Sequence, residues 1–138
     1  MGSLGGYSIL VVDDEPFVAT SVSEALSDAG ADVVTAHDLR TALEAATNGD
    51  IAAAILDVTL GGADSGAVCT ALKSRHVPFM FLSGYDTHDL LREWASVPAL
   101  AKPAGEVELV ANVEALLNPR DGSQEGREQR RGPSTNSG

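Results

Sequence analysis

The predicted fold is built around the stretch IAAAILD, residues 51–57. An unbroken apolar run that ends in one aspartate is typical of a strand that helices cover on both faces of a parallel sheet. Asp57 then lies at the carboxyl end of the strand, which is the edge where open α/β sheets bind their ligands. We therefore expect a buried central strand here and a ligand site at Asp57.

Three further apolar stretches end in polar side chains. They are YSILVVDDE, which contains Asp13 and Asp14, FMFLS, which ends in Ser83, and VPALAK, which ends in Lys102. Because the carboxyl ends of parallel strands meet at one edge, we expect three carboxylates, one hydroxyl and one ammonium to converge there. Any one of these acids is also explained by a helix start, where the helix dipole favours a carboxylate. That simpler explanation does not account for polar ends on four different apolar stretches.

Strand-like and helix-like stretches alternate five times along residues 7–117. The first helical stretch, for example, carries Val18, Val22 and Leu26 at helical spacing. This alternation predicts one α/β domain, in which a parallel sheet has helices on both faces and right-handed crossovers. Residues 1–6 are expected to be a flexible leader. Residues 118–138 are expected to be a disordered tail, because their composition offers no apolar period to bury.

The charge of the chain excludes some classes of partner. Its 138 residues carry a formal net charge of −11, whereas nucleic acids are bound by clustered lysine and arginine, so we expect no direct nucleic-acid partner. No apolar run has the length of a membrane span, and the sequence shows no secretion signal, so we expect a cytoplasmic protein without membrane contact. Cys69 is the single cysteine, which rules out an internal disulfide and favours a reducing compartment.

Carboxylates gathered at one edge repel one another, and a divalent cation that prefers oxygen ligands relieves the repulsion. Mg²⁺ suits such a site, because it needs few carboxylates, keeps several waters and shares its ligands with phosphate groups. Asp57 then has two possible roles, as a metal ligand and as a nucleophile that holds phosphorus as an acyl phosphate. Ser83 and Lys102 supply the hydroxyl and ammonium donors that stabilise charge on phosphoryl oxygens.

From residue 8 to residue 117 the sequence resembles the receiver domain of two-component response regulators. The resemblance rests on VVDDEP, the strand-end Asp57, the serine of LSGY and the final KP, in the family's order and near its usual spacing. It implies a flavodoxin-like (βα)5 doubly wound parallel sheet with strand order 2-1-3-4-5. It also implies that Asp57 accepts a phosphoryl group from a phosphohistidine on a sensor histidine kinase or a phosphotransfer protein.

The same resemblance assigns roles to individual residues. It implies that Asp14 and Asp57 bind Mg²⁺ directly, that Asp13 helps through a water molecule, and that the backbone carbonyl of Thr59 contributes. It places two side chains on the phosphoryl oxygens, those of Ser83 and Lys102. Mg²⁺ is the one cofactor that the resemblance implies.

Two positions depart from the usual pattern of the family. Many receivers carry phenylalanine directly after the KP, where this sequence has Ala104. Most receivers carry an aromatic residue three positions before the lysine, and its ring turns inward on phosphorylation, but here that residue is Ala99. We therefore predict that Ser83 and Tyr85 form the switch. The signal would then pass through the short helix expected over residues 87–95 rather than through the strand expected over residues 97–101.

The stretch PFMFLSGY, residues 78–85, is similar to the PFxFATGY-like motif of stand-alone receivers linked to HWE-type histidine kinases. Such a protein signals by protein contact or acts as a sink for phosphoryl groups, and we expect a monomer. Its reactions, self-catalysed transfer onto Asp57 and autodephosphorylation, do not make it an enzyme that acts on a separate substrate. Two alternatives stay open: a Mg²⁺-dependent aspartyl-phosphate phosphatase, and a degenerate receiver that acts as a binding module.

Overall fold

The centre of the molecule is a parallel β-sheet. The computed structural model describes residues 2–84 and 89–118, and the strands below lie within those residues. In chain order they are β1 (Ser8–Val12), β2 (Asp32–Ala36), β3 (Ala53–Asp57), β4 (Thr59–Leu60), β5 (Ala63–Asp64), β6 (Phe79–Ser83) and β7 (Ala99–Ala101). The sheet has the order β2-β1-β3-β6-β7, and β4 and β5 form a separate pair. Without that pair the order is 2-1-3-4-5, so the predicted flavodoxin-like fold is confirmed.

Strand β3 lies in the middle of the sheet, as its unbroken apolar sequence predicts. Every residue of β3 is buried, Asp57 included. The strand pairs in parallel with β1 on one side and with β6 on the other. Ile55 is in register with Val11 of β1 and with Met80 of β6. The predicted buried central strand is therefore confirmed, and Asp57 is its last residue.

Helices cover both faces of the sheet. They are α1 (Pro16–Asp28), α2 (Leu39–Asn48), α3 (Gly66–Ser74), α4 (Asp89–Glu93) and α5 (Glu106–Leu117). Apolar side chains of α2, α3 and α4 pack on one face, and those of α1 and α5 pack on the other. None of the helices in the described part of the chain is both long enough and apolar enough to cross a bilayer. The two apolar cores thus pack the sheet between helices and fix where its carboxyl edge lies.

Residues 2–6 belong to the segment expected to be a flexible leader, and in the structure they contact the end of α1. Leu4 is fully buried in the same apolar cluster as Leu26 and Ala31. Its backbone N–H donates a hydrogen bond to the carbonyl of Ala29 at 2.8 Å. Burial of a leucine side chain stabilises a fold by about 2 kcal/mol, which is enough to hold a short segment in place. A single leucine among glycines has no apolar period, so the sequence pattern gives no sign of this contact.

Two predicted elements have ends that differ from the expectation. The helix expected over residues 87–95 is observed as α4, Asp89–Glu93, and ends two residues earlier than expected, while residues 85–88 lie outside the described part of the chain. The strand expected over residues 97–101 is observed as β7, Ala99–Ala101. Pro98 has no N–H to donate to a neighbouring strand, which accounts for the late start of β7. Residues 119–138 are also outside the described part, so the disordered tail stays a prediction.

Candidate functional site

Three aspartates meet at the carboxyl edge of the sheet. Asp57 ends β3, and Asp13 and Asp14 directly follow the neighbouring strand β1. One carboxylate oxygen from each residue lies within 4.8 Å of the others. Asp13 is 2% exposed and Asp57 is 7% exposed, whereas Asp14 is open to solvent. The convergence predicted from the strand ends is therefore observed, and it concentrates negative charge at this edge.

Lys102 brings positive charge to the same edge. It directly follows β7, and its Nζ lies 3.0 Å from Asp13 Oδ2, 3.3 Å from Asp57 Oδ2 and 2.9 Å from Glu15 Oε1. Burial on its own would lower the pKa of this ammonium, but the hydrogen bonds to Glu15 and Asp13 and the charge of Asp57 raise the pKa above its ordinary value. Lys102 therefore stays protonated and offsets part of the repulsion among the carboxylates.

The carboxyl group of Asp57 is harder to ionise than that of an ordinary aspartate. Its pKa is raised to about 6, first because burial removes the group from water and second because Asp13 is negatively charged. The charge and the hydrogen bond of Lys102 act in the opposite direction. Above that pH Asp57 is mostly ionised, which is the state that a metal ligand or a nucleophile requires.

A hairpin that follows β3 contacts Asp14. Strands β4 and β5 pair on either side of Gly61 and Gly62, and both glycines have a positive φ that a glycine adopts without strain. The N–H of Gly61 donates to Asp14 Oδ2 at 2.9 Å. The hairpin also starts with Thr59, and Thr59 lines the same cavity as Asp14. The tight turn at Gly61 and Gly62 thus brings Thr59 and Asp14 to one site.

A cavity of about 800 Å³ opens at this edge of the sheet. Its lining includes five of the residues that the sequence singles out, Asp14, Asp57, Thr59, Ser83 and Lys102. Ser83 ends β6, and its hydroxyl donates to the carbonyl of Gly84 at 3.1 Å. Tyr85, the other predicted switch residue, lies outside the described residues. The cavity is large enough for a phosphoryl group with its metal and waters.

Glu15 is a member of the site that the strand-end argument missed. Its side chain contacts Lys102, and its backbone N–H donates to Asp13 Oδ1 at 2.8 Å. Glu15 does not end an apolar strand but is the N-cap residue of α1, so the pattern of strand ends does not include it. The available signal was the run of three consecutive acids in VVDDEP.

The donor set fits Mg²⁺. This cation takes oxygen ligands and keeps several waters, so a few carboxylates in an open cavity are sufficient. Asp14 and Asp57 line the cavity, and one oxygen of each lies within 4.8 Å of the other. Two nearly buried carboxylates with a single ammonium between them also leave excess negative charge for a cation to neutralise.

Comparison with known proteins gives a consistent family. Residues 9–114 match the family model described as the response regulator receiver domain. The transcriptional regulatory protein TcrA of Mycobacterium tuberculosis is 36% identical over 120 residues, which cover 83% of this chain and 47% of that protein. The chain spans about half the length of the curated relatives it matches. The likeness to these relatives therefore concerns one part of each protein.

Two solved structures are similar to the chain along most of its length. A response regulator receiver protein of Sinorhizobium medicae is 27% identical, with a TM-score of 0.73 and coverage of 85% of this chain and 98% of the other. The receiver domain of a sensor histidine kinase of Pseudomonas aeruginosa is 25% identical, with a TM-score of 0.72 and coverage of 82% and 98%. The second structure has a magnesium ion coordinated in its active site cleft.

The matched residues 9–114 include the three aspartates, Ser83 and Lys102. Sequence motifs, fold and comparisons agree on one assignment. The chain belongs to the response regulator receiver domain family of two-component systems.

Proposed function

We propose that this chain accepts a phosphoryl group on Asp57 from a phosphohistidine of a histidine kinase or a phosphotransfer protein. Receiver domains as a family interact with such proteins. The observation that carries the proposal is the position of Asp57. It is a nearly buried carboxylate at the end of the central strand, 3.3 Å from the ammonium of Lys102 and within 4.8 Å of two further carboxylates.

The proposed transfer is a single displacement at phosphorus. A carboxylate oxygen of Asp57 attacks the phosphorus, a P–O bond forms, and the P–N bond to the donor imidazole breaks. The electron pair of that bond stays on the imidazole nitrogen, which takes up a proton. Lys102 and Ser83 line the cavity and would donate hydrogen bonds to the phosphoryl oxygens as their charge develops.

We propose that Asp14 and Asp57 hold Mg²⁺ directly, that Asp13 contributes through water, and that the Thr59 carbonyl is a further ligand. The hydrogen bonds of Asp13 support this division, because its two oxygens already accept from Glu15 and Lys102. When bound, the metal would neutralise charge on the carboxylates and on the phosphoryl oxygens.

Asp14→Ala is therefore expected to weaken Mg²⁺ binding at least about tenfold, the scale on which ligand and supporting residues act at metal sites. Asp13→Ala, which removes the same charge from the neighbouring position, should weaken it less. Isothermal titration calorimetry with MgCl₂ measures both affinities directly. Equal affinity in Asp14→Ala and the unmodified chain would contradict the proposed ligand set.

The finer features of the function are proposals as well. The motif PFMFLSGY supports a kinase of the HWE type as the donor, and the excess of acidic residues supports signalling through proteins rather than nucleic acid. We propose a cytoplasmic monomer that signals by protein contact or acts as a phosphate sink, without catalysis on a separate substrate. Because Ala99 is exposed and has no ring to turn, the signal would pass through Ser83 and Tyr85.

The phosphoacceptor function is tested by incubating the chain with acetyl phosphate and Mg²⁺ and measuring its intact mass. We expect one phosphoryl group per chain, its loss on treatment with hydroxylamine, and little labelling when EDTA replaces Mg²⁺. Steady release of phosphate from varied phosphate monoesters would favour the phosphatase instead. A chain that binds its kinase but never gains phosphate would be a degenerate receiver.

A further inference from the structure

Lys102 has all of its hydrogen-bond donors directed at carboxylates. An ammonium has three N–H donors, and Nζ of Lys102 lies within 3.3 Å of one oxygen each from Asp13, Glu15 and Asp57. The proposed function requires this ammonium to contact a phosphoryl oxygen as well. At least one existing contact must therefore break or weaken when a phosphoryl group arrives.

The three contacts differ in how easily they can be given up. The side chains of Asp13 and Asp57 are 3% and 9% exposed, so each would lose a partner in a place that water hardly reaches. The side chain of Glu15 is 60% exposed, so water can solvate its carboxylate when the ammonium leaves. Ion pairs of exposed side chains are weak for this reason. Glu15 is thus the partner that Lys102 can release most easily.

The backbone of Glu15 is held by contacts that do not involve its side chain. Its N–H donates to Asp13 Oδ1 at 2.8 Å, and Pro16 begins α1 directly after it. A rotation of the Glu15 side chain into solvent leaves both features unchanged. The site can therefore free one donor of Lys102 without a shift of the sheet or of α1.

We propose that Glu15 is a positioning residue that holds one donor of Lys102 until a phosphoryl group reaches Asp57, and that it thereby slows phosphorylation. The inference rests on the proposed phosphoacceptor function. Glu15 does not touch the reacting atoms in this scheme, and it acts only through Lys102. Its removal should leave the ammonium bound to Asp13 and Asp57, with its third donor ready for a phosphoryl oxygen.

The test is the second-order rate constant for phosphorylation by acetyl phosphate at saturating Mg²⁺, compared between Glu15→Gln and the unmodified chain. The strength of an exposed ion pair sets the expected gain, which is roughly twofold to fivefold. Glu24→Gln is the matched control, because it removes the same charge from an exposed side chain on α1. That variant should keep the rate of the unmodified chain. Higher salt screens the ion pair, so the gain should shrink as salt is added.

A double-mutant cycle separates an effect through Lys102 from a general effect of charge. In a Lys102→Met background, Glu15→Gln should leave the rate unchanged. An equal gain in that background would show that the negative charge of Glu15 slows the reaction by repelling acetyl phosphate. That result would overturn the inference. A slower rate in Glu15→Gln, with the melting temperature unchanged, would overturn it too. If the unmodified chain gains no phosphate at all, the proposed function itself fails and the inference fails with it.

Discussion

Replacing Asp57 by asparagine is expected to abolish phosphorylation and, without magnesium, to make the protein more stable at neutral pH. The amide cannot attack phosphorus as a carboxylate does, so the variant should gain no phosphate from acetyl phosphate or from a kinase. It also removes a negative charge from a buried position beside Asp13. Loss of activity together with a gain of stability is the signature of a residue placed for chemistry rather than for folding.

The sign of the stability effect follows from the pKa of Asp57. Burial and the charge of Asp13 raise that pKa to about 6, whereas an aspartate in an unfolded chain has a pKa of about 3.9. The folded state therefore binds the proton more tightly. Ionisation of Asp57 lowers the free energy of unfolding as the pH rises from about 4 to about 6, by about 3 kcal/mol in total.

Urea unfolding in EDTA between pH 4 and pH 8 tests this prediction. Asparagine does not titrate, so Asp57→Asn and the unmodified chain should be nearly equally stable near pH 4. The difference should then grow through about pH 6 and level off above it, at about 2 to 3 kcal/mol. Asp50→Asn, at an exposed position, is the control and should show no such difference. A variant that is less stable than the unmodified chain at pH 7 would contradict the account.

Replacing Lys102 by methionine is expected to make the protein less stable, the opposite of the effect of Asp57→Asn. The ammonium contacts Asp13, Glu15 and Asp57, and its removal leaves two nearly buried carboxylates without that partner. Breaking one side of a buried ion pair costs about 3 to 5 kcal/mol. We expect Lys102→Met to lose about 3 kcal/mol of unfolding free energy in EDTA at pH 7, and Mg²⁺ to restore part of the loss.

Lys73→Met provides the control for that measurement. The Lys73 Nζ lies 5.6 Å from the centre of the Trp94 ring, an exposed cation–π contact that contributes at most about 1 kcal/mol. Magnesium should stabilise this variant only as much as it stabilises the unmodified chain. If Lys102→Met were no less stable than Lys73→Met, or if Mg²⁺ stabilised both equally, Lys102 would not be the counter-ion of the acidic site.

The fold and the convergence of the site follow from local patterns in the sequence. An apolar run such as residues 51–56 predicts a doubly covered strand, and parallel strands bring their ends together. Asp57, Ser83 and Lys102 could therefore be placed at one edge before any distance was known. The sheet order required the family resemblance, since alternation alone does not say which strands are neighbours.

Other features depend on contacts that no local pattern records. Leu4 is buried because the end of α1 lies beside it, and Glu15 contacts Lys102 because β1 and β7 end at the same edge of the sheet. The hairpin after Asp57 needs two successive glycines, but its contact with Asp14 depends on how the turn folds back. The raised pKa of Asp57 depends on burial and on neighbours brought in from distant parts of the chain.

The most direct test of the central claim is to locate the phosphoryl group on the unmodified chain. The protein is phosphorylated with acetyl phosphate and Mg²⁺ and reduced with borohydride, which converts an aspartyl phosphate to homoserine, and its peptides are then sequenced by mass spectrometry. We predict homoserine at position 57 and unmodified aspartate at positions 13 and 14. Label at either of those positions, or at a residue away from this edge of the sheet, would contradict the claim.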